Sequence, residues 1–240
     1  MKVFEADSPV ELSVVMPAYN EDGAIDAAVK EVQQHVFGRL QASELIVVND
    51  GSRDRTGEIL DQLATQDRRI RVIHQPNGGH GRALRTGLDA ARGEYVLLID
   101  SDRQIPLEAF NALWEAAIGH DGAFGIRLKR RDPWIRLALT SIVRKALGLL
   151  FKVQLRDANV PFKILRRSIW LEARELIPAD ALAPSIFLAI VSRRLHDVVE
   201  SEVRHHERTT GVVSIRRWNL LKFCVRGFLQ LLAFRRRLEP

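Results

Sequence analysis

The stretch Tyr95-Val-Leu-Leu-Ile-Asp100-Ser101-Asp102 decides how the rest of the chain is read. Four apolar residues, Val96 to Ile99, run into two carboxylates separated by one small residue. A short run that is apolar on both faces reads as a buried strand of a parallel sheet. The C-terminal ends of such strands are where open α/β sheets bind ligands. Two carboxylates this close repel each other unless a positive charge sits between them. A divalent cation carrying a diphosphate meets that need, because hard cations take oxygen ligands and keep substrate phosphates in their shell.

Working outward, strand and helix signals alternate through the first half of the sequence. Strands are expected over Glu11–Ala18, Glu44–Asn49, Arg71–His74 and up to Asp100, and helices over Gly23–Phe37, Thr56–Thr65 and Gly81–Ala91. Asp54 is the expected N-cap of the second helix, Gly93 closes the third, and a fourth helix opens near Pro106. The pattern predicts a mostly parallel sheet with helices on both faces. Further on, Pro133–Val153 is an amphipathic helix whose apolar stripe is Ile135, Leu139, Ile142, Ala146, Leu149 and Val153. Strands over Val160–Leu165 and Val198–His205, an irregular connection over Pro178–Pro184 and a final helix over Trp218–Phe234 complete the reading.

Three other strand ends carry polar clusters. Pro17-Ala-Tyr19-Asn20-Glu21 places a ring beside a carboxylate, which suits a nucleoside, although a turn with Asn20 or Asp22 capping the next helix explains it equally. Asn49-Asp50-Gly51-Ser52 puts a carboxylate where dinucleotide folds hold ribose, or is simply a tight turn. Asn77-Gly-Gly-His80-Gly81-Arg82 is a glycine-rich loop entering a helix, able to offer backbone N–H groups to phosphate. It is neither a Walker loop nor a dinucleotide fingerprint. Gly87, inside that helix, is expected to permit close packing, and His80 reads as a solvated loop residue. In a parallel sheet all these turns share one rim and build one nucleotide pocket with a metal at its edge.

At this point the chain resembles the GT-A fold, family 2 glycosyltransferases, strongly over Leu12–Pro106. Asp157-Ala-Asn-Val-Pro-Phe-Lys163 and His206-Glu-Arg208-Thr-Thr-Gly211 resemble the dolichol-phosphate mannose synthase and polyprenyl-phosphate glycosyltransferase branch. The resemblance implies an inverting transfer from a nucleotide-diphosphate sugar to a polyprenyl phosphate. It implies that Pro17, Tyr19, Glu21 and Asp50 hold the nucleoside and that Asp100, Ser101 and Asp102 form the Asp-x-Asp motif. It further implies that Asp100, Asp102 and Gln104 carry Mg2+ or Mn2+, and that Arg127 and Arg208 meet the diphosphate. Gly211-Val-Val-Ser214-Ile-Arg216 departs from the branch, which has a lysine in a Gly-x-Ser-Lys pattern. Asp157 is the candidate base or acceptor-positioning group, against the plainer reading that it caps a turn or pairs with Arg156. Lys163 is another anion contact or a surface strand residue.

Composition sets the outer bounds. The 240 residues are 46% apolar and 28% charged, a globular soluble profile with room for one large domain or one domain with an appendage. We expect a transferase domain over residues 1–213 and a helical segment over 214–240 that faces a membrane surface or a partner. The formal charge is +6, and between Arg127 and Lys145 seven Lys and Arg residues face one acid, Asp132. That asymmetry points to an anionic partner. No base-reading motif supports nucleic acid. Cys224 is the single cysteine, and neither a signal-peptide core nor a membrane span is evident, so the expected setting is cytoplasmic, with peripheral membrane contact or a membrane partner subunit. Two rival functions stay open: the same donor chemistry onto a soluble hydroxyl acceptor, and a nucleotide-sugar-binding subunit without turnover.

Overall fold

The computed structural model describes residues 9–127, 134–204 and 217–238, with backbone alone for 134–140 and 217–225. The described strands are β1 (Leu12–Ala18), β2 (Ser43–Asn49), β3 (Ile70–His74), β4 (Tyr95–Ile99), β5 (Gly122–Arg127), β6 (Phe162–Arg166) and β7 (Val198–Val203). They form one sheet in the order β3-β2-β1-β4-β6-β5-β7. Only β6 is reversed, pairing antiparallel with both β4 and β5, while the other pairings are parallel. The expected α/β, mostly parallel architecture is therefore present.

Period-2 alternation explains why helices cover both faces. Val14 and Met16 of β1, Leu45 and Val47 of β2, and Leu97 and Ile99 of β4 enter one core. The helices α1 (Ile25–Val32), α2 (Thr56–Gln66) and α4 (Phe110–Ala117) cover it. Val15, Ile46, Val48, Val96 and Leu98 point the other way. Against them lie α3 (His80–Ala90), α5 (Trp134–Phe151), α6 (Arg167–Leu176), α7 (Pro184–Leu195) and α8 (Arg217–Leu238). Asp54 accepts the Thr56 N–H at 3.0 Å from just outside α2, whose N-cap position is Arg55 and not the expected Asp54. Gly87 of α3 sits so close to the sheet that a Cβ there would overlap Val15 Cγ1, which confirms the packing role read from the sequence.

Four elements depart from the sequence reading. β5 was not foreseen, because a strand that begins Gly-Ala-Phe-Gly has weak β propensity. The structure shows why glycine is needed: a Cβ at Gly122 would run into the Ile164 carbonyl oxygen of the adjoining strand. α6 and α7 were also unassigned, although the expected irregular connection does join them and Pro184 opens α7. On α5 the expected apolar stripe is not the core face. Leu147 and Phe151 are buried, whereas Ile142 and Leu149 are 62% and 82% exposed.

Candidate active site

Pairing brings the ends of β1, β2 and β4 to one rim, with Pro17 opposite Val48, Ala18 opposite Asn49 and Val15 opposite Leu98. Just beyond those ends lies a cleft of about 350 Å3. Pro17, Tyr19, Glu21, Asp50, Asp100, Ser101 and Asp102 all line it, together with Asn77, Gly79 and His80. Seven residues singled out from separate strand ends thus meet around one space. Tyr19 is 43% exposed, an open ring face at the mouth. Glu21 starts α1 through its carbonyl, which accepts the Ala24 and Ile25 N–H groups at 2.9 and 2.8 Å.

Asp50 does more than line the cleft. Its carboxylate accepts Gln75 Nε2 at 2.7 Å, the Gly78 N–H at 2.9 Å and the Gly79 N–H at 2.8 Å. The glycine-rich loop is therefore tied to the end of β2 by a buried anion. Gly79, at φ +85°, supplies the left-handed turn that leads into α3. That turn sets His80 at the first position of the helix. His80 Nε2 lies 4.0 Å from Asp100 Oδ1 and lines the cleft, so it is not the bystander that sequence reading made it. The available signal was its place at a helix start directly after a glycine-rich strand-end loop.

A second, larger cleft of about 800 Å3 adjoins the first and shares Gly79, His80 and Asp100 with it. Its walls are Leu98, Pro161, the connection from Ala179 to Ser185, and Arg226 of α8, which pairs with Asp180 at 3.0 Å. Asp100 stands where the two spaces meet. Burial pushes its carboxyl above the usual range; His80 opposes the shift and Asp102 adds to it. The side chain is nonetheless one third exposed, recessed in the cleft wall but reachable from solvent. Asp102 Oδ1 accepts the Gln104 N–H at 3.1 Å, which closes the turn, and the Gln104 side chain lines neither cleft. No group of three or more His, Cys, Asp or Glu side chains among the described residues is preassembled for a metal. The donors present are two carboxylates, one of them destabilised as an anion by its surroundings. Hard oxygens with an uncompensated charge fit a divalent cation that completes its shell with water and phosphate.

Arg127 and Asp157 are found together and line neither cleft, although Arg127 is near enough to act electrostatically on Asp100. Arg127, at the end of β5, donates Nε to Asp157 Oδ2 at 2.7 Å and Nη2 to Oδ1 at 2.9 Å. Both side chains are largely buried. The candidate base or acceptor-positioning group is thus held on both oxygens by a guanidinium. Arg156, the partner in the plainer reading, reaches Glu202 at 3.5 Å. Lys163 is neither a surface residue nor an open anion contact, being 0% exposed. Arg208, with Arg130, Arg131 and Arg216, lies outside the described residues.

Comparison with known proteins places this geometry. The chain matches the model of glycosyl transferase family 2 over residues 13–178. It is 29% identical over 203 residues to the undecaprenyl-phosphate 4-deoxy-4-formamido-L-arabinose transferase of Aeromonas hydrophila, covering 83% of this chain and 61% of that protein. To the protein of the same name from Pseudomonas aeruginosa it is 32% identical over 211 residues, covering 85% and 60%. The chain therefore spans less than two thirds of the length of these relatives. Among solved structures, Mycobacterium tuberculosis glucosyl-3-phosphoglycerate synthase, in complex with Mn2+, UDP and glucosyl-3-phosphoglycerate, aligns with TM-score 0.67 at 21% identity, over 94% of this chain and 80% of that one. That likeness shows a shared fold.

Proposed function

We propose a function from one premise: the chain belongs to glycosyl transferase family 2. It is an inverting glycosyltransferase that moves a sugar from a nucleotide-diphosphate donor to a polyprenyl phosphate. The observation that carries this reading is the meeting of Tyr19, Asp50, Asp100 and Asp102, from three strand ends, on one cleft that opens into a second. In this reading the smaller cleft takes the nucleoside between Pro17, Tyr19, Glu21 and Asp50. Asp100, Asp102 and Gln104 hold Mg2+ or Mn2+ with Ser101 beside them, and Arg127 and Arg208 face the diphosphate. Bound there, the cation would offset the negative charge that grows on the leaving diphosphate. Asp157 orients Arg127 through two hydrogen bonds. A phosphate acceptor arrives already ionised, whereas a hydroxyl needs a base. The two named relatives act on undecaprenyl phosphate by their names, and this agrees.

The reading extends to where the chain works. We take residues 1–213 as the transferase unit and 214–240 as the segment that carries α8, which is seated on that unit through Phe234, whose ring lies 4.9 Å from Phe187 and 5.9 Å from Phe151. α5 and α8 together carry nine Lys and Arg residues and no Asp or Glu, more than the whole net charge of +6. Ile142 and Leu149 of α5 and Phe228, Leu229 and Leu232 of α8 are exposed apolar side chains on the same two helices. Cations around exposed apolar residues suit the surface of an anionic bilayer. No helix among the described residues is long and apolar enough to cross a membrane. In this reading the chain meets its lipid acceptor at the cytoplasmic face through α5 and α8.

The test is a panel of nucleotide sugars with Mn2+ or Mg2+, scored for nucleoside diphosphate release with and without polyprenyl phosphate. Release that needs both the cation and the lipid phosphate is expected, with a loss of at least about 100-fold in Asp102→Ala. Turnover on a small hydroxyl acceptor alone would move the assignment to that class. Binding of donor without release under every condition would leave a non-catalytic subunit.

A further inference from the structure

Lys163 is a buried cation that the transfer chemistry above does not use. It lies on β6 directly opposite Leu98 of β4 and Phe124 of β5. Cross-strand partners share a sheet face, and Leu98 and Asp100 both line the larger cleft. Lys163 thus stands behind the cleft wall on the side of Asp100. Its ammonium donates to the Val160 carbonyl and, at 2.8 Å, to Ser185 Oγ, and sits 5.6 Å from the centre of the Phe124 ring. These partners are neutral, and no described carboxylate lies within ion-pair distance. A buried ammonium without a direct counter-ion is costly to maintain. Burial accordingly lowers its pKa to about 7, with Asp157 and Asp100 the anions that support the charge.

Charge counting gives this lysine a function. Asp100 and Asp102 alone present two negative charges to a free divalent cation, and Lys163 offsets one of them. The same positive charge attracts the complex of a cation with a nucleoside diphosphate, which is a net anion. We infer that Lys163 is a positioning residue that weakens binding of the free cation and strengthens binding of the cation–diphosphate complex, so that the metal enters and leaves with the nucleotide. The inference rests on the metal and donor assignment proposed above. Strand geometry sets the backbones of Lys163 and Asp100 roughly 8 Å apart. At an effective dielectric constant of about 20, one unit charge at that range alters affinity for another by about thirtyfold, and for a divalent cation by more.

The experiment measures two affinities at pH 6.5, where the ammonium is largely charged: Mn2+ alone by electron paramagnetic resonance, and UDP or GDP at saturating Mn2+ by calorimetry. Lys163→Met should bind free Mn2+ at least about tenfold more tightly and the nucleoside diphosphate at least about tenfold more weakly. A merely structural role would weaken both together. Ser185→Ala, which deletes a hydrogen-bond partner and keeps the charge, should show neither shift. Two affinities that fall together, two that stay put, or a Ser185→Ala variant that reproduces the opposed shifts would each overturn the inference. A folded wild-type protein that binds neither Mn2+ nor diphosphate would overturn the metal and donor assignment as well. Should Lys163→Met fail to fold, Lys163→Gln, which keeps a donor for Ser185, gives the same opposed prediction.

Discussion

Replacing Asp50 with Asn tests whether the nucleotide cleft is built by the carboxylate that ties down the glycine-rich loop. One Asp50 oxygen takes Gln75 Nε2 and the Gly78 N–H, and the other takes the Gly79 N–H. An amide has one acceptor oxygen. Turned to keep the first pair, it sets an NH2 group against the Gly79 N–H, a donor facing a donor at 2.8 Å. Turned the other way it loses two bonds. Hydrogen bonds to charged groups contribute about 1.5–3 kcal/mol each. Losing one and removing the charge from two more comes to about 3 kcal/mol. At about 1.4 kcal/mol per tenfold, that is on the order of 100-fold in the equilibrium between the ordered and open loop. Amide hydrogen exchange at Gly78 and Gly79 should speed up by that factor in the ligand-free protein, and nucleoside diphosphate affinity should fall in parallel. If affinity falls while exchange at both glycines is unchanged, Asp50 acts on the nucleotide directly and the loop-tethering argument is wrong.

Other consequences can be checked on the folded protein. Gly87→Ala gains helix propensity but drives a methyl into Val15, and overpacking of about 1–3 kcal/mol outweighs a gain of about 1 kcal/mol; a lower melting temperature is expected, and an unchanged or higher one would deny the close approach of α3 to the sheet. Glu44 is buried, which alone would raise its pKa, but bonds from Arg71, Ser13 and the Arg92 backbone hold it below its ordinary 4.5. The stability this gives is complete above about pH 4.5 and is lost as pH falls through the depressed value, so melting curves of the wild type and Glu44→Gln should differ at pH 7 and converge in acid. A constant gap down to pH 3 would contradict that. Sedimentation with anionic vesicles should be strong at low salt, weaken as salt rises, and fall about tenfold in Leu149→Asp, since burying one leucine contributes about 1.5–3 kcal/mol. Equal binding by wild type and variant would remove α5 from the lipid contact.

How much of this was legible in the sequence follows from the range of each interaction. The strand ends at Pro17, Asp50 and Asp100 were readable because a buried strand and the turn after it are adjacent in the chain, and a parallel sheet then forces the turns onto one rim. The face of α5 was not readable. Its periodicity offers two apolar ridges, one through Leu147 and one through Leu149, and only the neighbours supplied by α7 and α8 decide which is buried. β5 was hidden for a related reason, since its glycines have low propensity and are explained only by the backbone of a strand some forty residues away.

The pairing of Arg127 with Asp157 belongs to the same long-range class, and it bears directly on the chemistry. In the sequence Asp157 is a candidate base or acceptor-positioning group, and Arg156 beside it is the partner in the plainer reading. Folding instead brings β5 alongside β6, and an arginine thirty residues away takes both oxygens. A buried ion pair of this kind is strongly destabilised when one partner is removed, because the other charge is left uncompensated. The two bonds fix the guanidinium at the end of β5, and in the proposed reading Asp157 acts by positioning Arg127.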